Sequence, residues 1–317
     1  MGFSDQWDPF YAEYTFTAWI VIITTYCCAL CLIQHLICLP FFTCCKRENK
    51  FDKSICYEGD EFPIPLVSAH RGGGGERAEN TLDAFKHAYA QGINFLELDL
   101  NITRDEQVVI FHDDEMGRVC GPKYEGKKPS DYDYEDLPRL ASKIPTSVGS
   151  SDFYRMRDDE SGKIPLLEDL FIWAEPLEKL GFSIDVKDGD DTLCTKLNDL
   201  VKKYKLESRV VWSSGFNSEK ADLIAEKNED VPTFYSLWSA LCILCCWCCG
   251  CVSCWPLSAD FYQIPYLSNL MVRGADHGFG CLGVCFLKLG RCLISGLGGL
   301  TSHLRARGNM VTIWTLN

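Results

Sequence analysis

The pattern of apolar and polar positions divides the chain before any residue is given a role. From Thr15 to Cys45 there is no Asp, Glu, Lys or Arg, and a helix needs about 20 apolar residues to cross a hydrocarbon core. A transmembrane anchor is therefore expected at 15–45, preceded by a short segment at 1–14. Asp5, Asp8 and Glu13 stand where a cleaved signal peptide would carry basic residues, which favours an anchor over a leader. Lys46, Arg47, Lys50 and Lys53 follow the run. By the positive-inside tendency they place the rest of the chain on the cytoplasmic side, with the endoplasmic reticulum as the expected membrane.

Beyond the anchor, short apolar runs rich in β-branched residues alternate with longer amphipathic segments, the pattern of successive βα units around a parallel sheet. Seven strands are expected, at Leu66–Ala69, Phe95–Leu100, Val108–Phe111, Phe182–Val186, Val210–Ser213, Thr233–Leu237 and Met310–Leu316. The predicted fold is α/β, a TIM-barrel-like (β/α)8 domain over 62–317 whose last βα unit is absent. Leu237–Ala259 is a second stretch without charge. A single crossing there would put the last strand on the far side of a membrane from the others, so a hairpin or interfacial insertion at 237–259 is expected. A buried core helix is the competing reading. Gly278–Arg307, rich in Gly and Leu with Lys288 and Arg291, is expected to lie along the same surface as an amphipathic helix.

Composition excludes some functions. A formal charge of -13 and a pI near 4.9 argue against nucleic acid as a partner, since phosphate counterions are displaced by a basic face. Of 19 cysteines, six lie between Cys27 and Cys45 and seven between Cys242 and Cys254, in apolar surroundings. That clustering fits membrane-facing thiols better than a disulfide framework or a zinc site, which would have polar loops or a histidine nearby. Cys44 and Cys45, beside Lys46 and Arg47, fit palmitoylation and unmodified juxtamembrane thiols equally.

The chemistry gathers at the carboxyl ends of the expected strands, which in a parallel barrel share one mouth. His70, Arg71, Glu97, Asp99, His112 and Asp185 would converge there. Glu97 and Asp99 are two apart on a strand and face the same way. With Asp185 they form a hard oxygen set suited to Mg²⁺ or Ca²⁺. His70 and His112 can divide proton removal and delivery, and His112 can alternatively be a metal ligand. The Arg71 guanidinium matches a phosphate gaining charge, and Lys187 adds a second cation. Gly72–Gly75 permits close backbone approach to a phosphate. Glu79, Asn80 and Thr81 either cap the helix that follows or touch substrate.

The series H-R-G, E-N-T, E-L-D and H-D, with I-P-L-L-E-D from Ile164, S-I-D-V-K from Ser183 and W-T-L-N from Trp314, resembles the glycerophosphodiester phosphodiesterases from about Leu66 to Asn317. The anchor, the apolar insertion ahead of F-Y-Q-I-P and the H-L-R-A-R-G segment are similar to the animal membrane-bound branch with lysophospholipase D activity. The resemblance implies that His70 and His112 are the acid-base pair and that Arg71 holds phosphate. It further implies one divalent cation at Glu97, Asp99 and Asp185, with His112 a possible fourth ligand, and substrate contacts from Glu79, Asn80, Lys187 and Trp314. Its chemistry is attack on phosphorus by a substrate hydroxyl, then opening of a cyclic phosphate by water, on glycerophosphodiesters or lysophospholipids at a bilayer. Asp185 departs from the Glu of many relatives, and the family normally continues past W-T-L-N. A catalytically silent membrane protein that binds lipid or a protein partner is the competing function; the complete set of mouth residues favours the enzyme.

Overall fold

The computed structural model describes residues 22, 25–26, 29, 48–55, 67–146, 152–187, 191–213, 218–248, 252–265 and 298–314. All of the expected anchor at 15–45 but residues 22, 25–26 and 29, and most of Gly278–Arg307, lie outside them. Among the described residues no helix is long and apolar enough to cross a membrane.

Strands β1 (Ser68–Ala69), β2 (Phe95–Ile102), β6 (Gly181–Val186) and β7 (Val210–Ser213) pair in that order, all parallel. β8 (Phe261–Pro265) and β9 (Met310–Trp314) form a second parallel pair. Single parallel bridges from Trp212 to Thr233 and from Phe234 to Phe261 join the two sheets into one curved wall. The expected strand at Thr233–Leu237 is thus reduced to those bridging residues, because the chain turns into a helix at Leu237.

Two expectations are corrected. Val108–Phe111 is not a barrel strand: β3 (Val108–Ile110) runs antiparallel to β2 as the return arm of a hairpin. Thr103 and Gln107 close its turn through a 3.0 Å backbone hydrogen bond, with Glu106 in the left-handed region at φ 59°. So short a connection permits only antiparallel pairing, since a parallel partner needs a crossover of a dozen residues or more. Conversely, Phe261–Pro265 forms a parallel strand that the pattern did not single out. A small hairpin of β4 (Lys143–Pro145) and β5 (Phe153–Arg155) stands apart from the wall.

Helices α1 (Leu82–Ala90), α3 (Leu167–Ala174) and α4 (Asp191–Lys203) cover the outside of the sheet, while the short α2 (Gly117–Cys120) follows β3 and α5 (Ser218–Lys227) follows β7. Leu96, Leu98 and Leu100 of β2 are fully buried against Phe85, Leu170, Phe171, Leu193 and Leu197 from those helices. The alternate β2 residues face inward, and their chemistry changes with height. Phe95 packs with Phe51, Val211, Phe234, Phe261 and Met310 into an apolar floor, with Phe51 edge-on to Phe95 and Phe261 at 5.6 and 5.3 Å. Each fully buried ring contributes about 1.5–3 kcal/mol. Above Phe95 the same face carries Glu97 and then Asp99, so the polar layer rests on an aromatic one.

Segment 48–55 seals the amino end of the barrel. Asn49 Nδ2 donates to the carbonyls of Asp260 and Gly308 at 3.0 and 3.2 Å, and the Asp52 amide to Ser208 at 2.7 Å. All three acceptors lie just ahead of parallel strands. The chain therefore enters the domain at the end opposite the polar layer.

The Leu237–Ala259 stretch is resolved by the fold into helix α6 (Leu237–Cys248), a short turn at Val252–Cys254 and a return to β8. α6 starts beyond Phe234, at the carboxyl end of the wall. The stretch finishes at the amino end, where Arg307, three residues ahead of β9, donates to the Val252 and Trp255 carbonyls at 3.1 and 3.0 Å. It is the helix of one βα unit, running down the outside of the barrel.

Candidate active site

β1 delivers His70, Arg71 and Gly72 in one tight turn, with Arg71 at φ 52° and Gly72 at φ +76°. At Gly72 a Cβ would stand 2.9 Å from both Ala84 Cβ and Phe85 Cδ1 of α1. Gly72→Ala is expected to cost about 1–3 kcal/mol from overpacking and backbone strain, read as a lower thermal midpoint. The left-handed Arg71 turns its amide to Glu97 Oε2 at 2.7 Å and its guanidinium to Glu79 Oε1 at 3.0 Å. Its Nε is buried, 3.8 Å from Asp99 Oδ2 and without a hydrogen bond. A strained residue with a spare buried donor is the kind of group held in place for function.

Asn80 is also left-handed, at φ 56°; its amide binds the Arg71 carbonyl at 2.9 Å and its Nδ2 binds Asp99 Oδ2 at 2.9 Å. The two readings of Glu79, Asn80 and Thr81 therefore divide among the residues. Thr81 caps α1, accepting from the Ala84 amide at 3.2 Å, while Glu79 and Asn80 turn into the site and bind Arg71 and Asp99.

Parallel register sets Asp99 beside Asp185 on the neighbouring strand, with Glu97 beside Ser183. Lys187, just past β6, lies 3.1 Å from Asp99 Oδ1 and also donates to Asp185 Oδ2. Burial alone would lower the Lys187 ammonium, but Asp99 and Asp185 outweigh it and hold the lysine charged. Burial, followed by the charges of Asp99 and Asp185, pushes the Glu97 carboxyl well above the usual carboxylate range. Burial would raise Asp99 too, yet Lys187, His112, Asn80 and Arg71 together hold it low.

The β2–β3 hairpin presents His112. Asn101 Nδ2 fixes the loop by donating to the Phe111 carbonyl at 3.0 Å, and the Phe111 amide binds the Asp99 carbonyl at 2.8 Å. His112 Nδ1 is 2.6 Å from Asp113 Oδ1. Asp113 is gripped in turn by Arg118, whose Nη2 is 3.0 Å from Asp113 Oδ1 and whose Nη1 is 2.8 Å from both Glu79 Oε2 and the Pro145 carbonyl. Burial opposes the charged form of Asp113, but hydrogen bonds from His112 and Arg118 outweigh it and pull the carboxyl far down. Burial and the adjacent Arg71 charge push His70 down to about 4, with His112 acting in the same direction. His70 and His112 thus share one electrostatic environment.

Sequence reasoning brought His70, Arg71, Glu79, Asn80, Glu97, Asp99, His112, Asp185 and Lys187 to this mouth and missed Asp113 and Arg118. H-D-D-E-M-G-R carried the signal: an acid directly after the histidine and an arginine one helical turn beyond it. Trp314 ends β9, and its side chain lies outside the described residues.

Glu97, Asp99 and Asp185 supply the oxygen donors that Mg²⁺ or Ca²⁺ prefers. Their surplus negative charge, visible in the raised Glu97, fits a cation by chemistry. Among the described residues, however, no three His, Cys, Asp or Glu side chains form a ready-made cage, and the Lys187 ammonium contacts two of the three candidate carboxylates. His112 has committed Nδ1 to Asp113, leaving Nε2 as its remaining ring nitrogen.

The sequence profile of the glycerophosphoryl diester phosphodiesterase family matches residues 70–238, from His70 into the first turn of α6. The chain belongs to this family. It is a phosphodiester hydrolase by that membership. Lysophospholipase D GDPD1 of Homo sapiens is 34% identical over 249 residues, which are 78% of this chain and 76% of the relative. Lysophospholipase D GDPD3 of Homo sapiens is 28% identical over 79% of this chain and 76% of its own length. The crystal structure of a glycerophosphoryl diester phosphodiesterase from Parabacteroides distasonis superposes with a TM-score of 0.51 at 23% identity, over 84% of this chain and 78% of that one. The likeness in structure supports the TIM-barrel-like fold of this family member.

Proposed function

We propose that this phosphodiesterase cleaves the head-group side of glycerophosphodiesters, and of lysophospholipids in particular, in the manner of a lysophospholipase D. The products are the free head group and lysophosphatidic acid, or glycerol phosphate from a deacylated substrate. The observation that carries the reading is the meeting of His70, Arg71 and His112 with Glu97, Asp99 and Asp185 above one aromatic floor, in a chain 34% identical to a protein named lysophospholipase D.

His70, neutral at pH 7, accepts the proton of the substrate's own glycerol hydroxyl as that oxygen attacks phosphorus. His112, with Nδ1 against Asp113, uses Nε2 to give a proton to the departing head-group oxygen. The bond to the head group breaks and a cyclic phosphate remains. Water then opens the ring with the two histidines exchanging roles. Arg71 and Lys187 stabilise the charge gathering on the phosphoryl oxygens. Glu97, Asp99 and Asp185 would hold a divalent cation, Mg²⁺ or Ca²⁺, which supplies further neutralisation of that charge when bound.

The charge-free run at 15–45 and the basic cluster after it support membrane anchoring with the barrel on the cytoplasmic side. The mechanism is tested with a lysophospholipid analogue that lacks the free glycerol hydroxyl. It is expected to bind and remain intact, with turnover at least about 100-fold below that of the parent lipid, since the loss removes the nucleophile itself. Hydrolysis of the analogue at the parent rate would show that water attacks directly and that the cyclic phosphate is not formed.

A further inference from the structure

α6 is apolar on both faces, and only one of them is covered. Ala240, Ile243, Leu244, Cys246 and Trp247 pack inward with Tyr262, Leu300 and Leu304. On the other side Trp238 is 71% exposed, Leu241 is 47% exposed and Cys245 is exposed. Spacings of three and four residues set these on one stripe. A surface helix ordinarily carries charge on its outer face, yet Leu237–Ala259 contains none. The stripe is built for a surrounding other than water.

The length and the docking of the helix decide what that surrounding is. The twelve described residues of α6 reach only about 18 Å, too short for a hydrocarbon core of about 30 Å. The helix is also fastened along its length: Tyr262 Oη binds the Ala240 carbonyl at 3.0 Å, and Asn309 Nδ2 and Arg307 hold the return loop. A helix fixed to the wall, with Trp at its first turn and aliphatic residues and thiols below, suits the headgroup boundary of a bilayer. The same chain carries a 15–45 run that is also free of charge.

We infer that the outer stripe of α6, Trp238, Leu241 and Cys245, lies in the bilayer interface and holds the barrel on its side, with the mouth opening at the lipid surface. Two positions in the fold require the side-on posture. The 15–45 run joins the domain through segment 48–55 at the amino end of the barrel, whereas Trp238 stands in the first turn of α6, at the carboxyl end of the wall. Contact at both ends lays the barrel axis along the membrane. A lysolipid then reaches His70 and Arg71 by lateral movement, without leaving the bilayer for water. This deepens the lysophospholipid reading and rests on it.

The full chain, reconstituted in phosphatidylcholine vesicles with or without brominated acyl chains, tests the posture. The fluorescence difference between the wild type and Trp238→Phe isolates Trp238, and this component is expected to be quenched by bromine. The double variant Trp238→Lys, Leu241→Lys changes only exposed positions. It is expected to lose at least about 10-fold in lysophosphatidylcholine hydrolysis on vesicles, while its rate on water-soluble glycerophosphocholine stays within about twofold, since a lysine at the interface costs roughly a tenfold factor or more in partitioning. An unquenched Trp238, or equal losses on both substrates, would overturn the inference. If neither substrate is turned over by the wild type, the functional reading fails, and the quenching still decides whether α6 meets lipid.

Discussion

His70→Ala is expected to lower kcat/KM on lysophosphatidylcholine by about 100- to 10,000-fold, the usual worth of a positioned general base, with the thermal midpoint nearly unchanged. The side chain is 19% exposed and packs into none of the apolar clusters, so its removal opens no large cavity. Its place in the mouth also predicts a pH profile. Because burial and Arg71 hold the folded His70 at about 4, the neutral base persists well below pH 6.5, and the acid limb of kcat/KM should fall toward 4. The linked stability has the same sign: it is complete above the unfolded value near 6.5 and is lost as the pH drops through about 4. His70→Gln, which keeps a polar group of similar reach without a titrating nitrogen, should be as inactive as His70→Ala. Full activity in either variant would remove His70 from the chemistry.

Arg118→Leu should be the most damaging change to stability in the site. The Arg118 side chain is only 7% exposed and bonds to Glu79, Asp113 and the Pro145 carbonyl, joining the segment ahead of α1, the loop after β3 and the β4 hairpin. Taking away one partner of a buried ion pair costs about 3–5 kcal/mol, because the remaining charges are left without compensation. For a domain of this size that corresponds to a fall of about 10 °C in thermal midpoint. Catalysis should suffer as well, since Asp113 would no longer hold the His112 ring in one orientation. The gap between wild type and variant should narrow in acid. The stabilisation tied to the depressed Asp113 is present above its unfolded value near 4 and is lost progressively as the pH falls from there through its much lower folded value. Differential scanning at pH 7 and at about pH 2 measures both effects, and an equal gap at the two values would contradict the pairing.

How much of this was legible in the sequence differs by element. The inward face of β2 could be read directly, because Phe95, Glu97 and Asp99 alternate with Leu96, Leu98 and Leu100. Val108–Phe111 misled because a four-residue apolar run has no direction. The five residues between Ile102 and Val108, which include Asp105 and Glu106, already implied a hairpin. Phe261–Pro265 was obscured by the unbroken apolar stretch ahead of it and by its terminal proline. In the site, residues with a recognisable chemical role were found, whereas Asp113 and Arg118 were missed because they act through other side chains. Their meaning depends on a contact with Glu79 far away in sequence, and spacing alone does not reveal it. Glu79 and Asn80 were open between capping a helix and touching substrate, and the structure binds them to Arg71, Arg118 and Asp99.

The central claim is that this mouth breaks the phosphodiester on its head-group side. The most direct measurement is product analysis after incubating the detergent-solubilised full chain with lysophosphatidylcholine, in Mg²⁺, in Ca²⁺ and in excess chelator. Choline and lysophosphatidic acid in equal amounts, formed with metal and suppressed by chelator, is the predicted result. Release of fatty acid or phosphocholine, or no product from a folded chain with either metal, would contradict it.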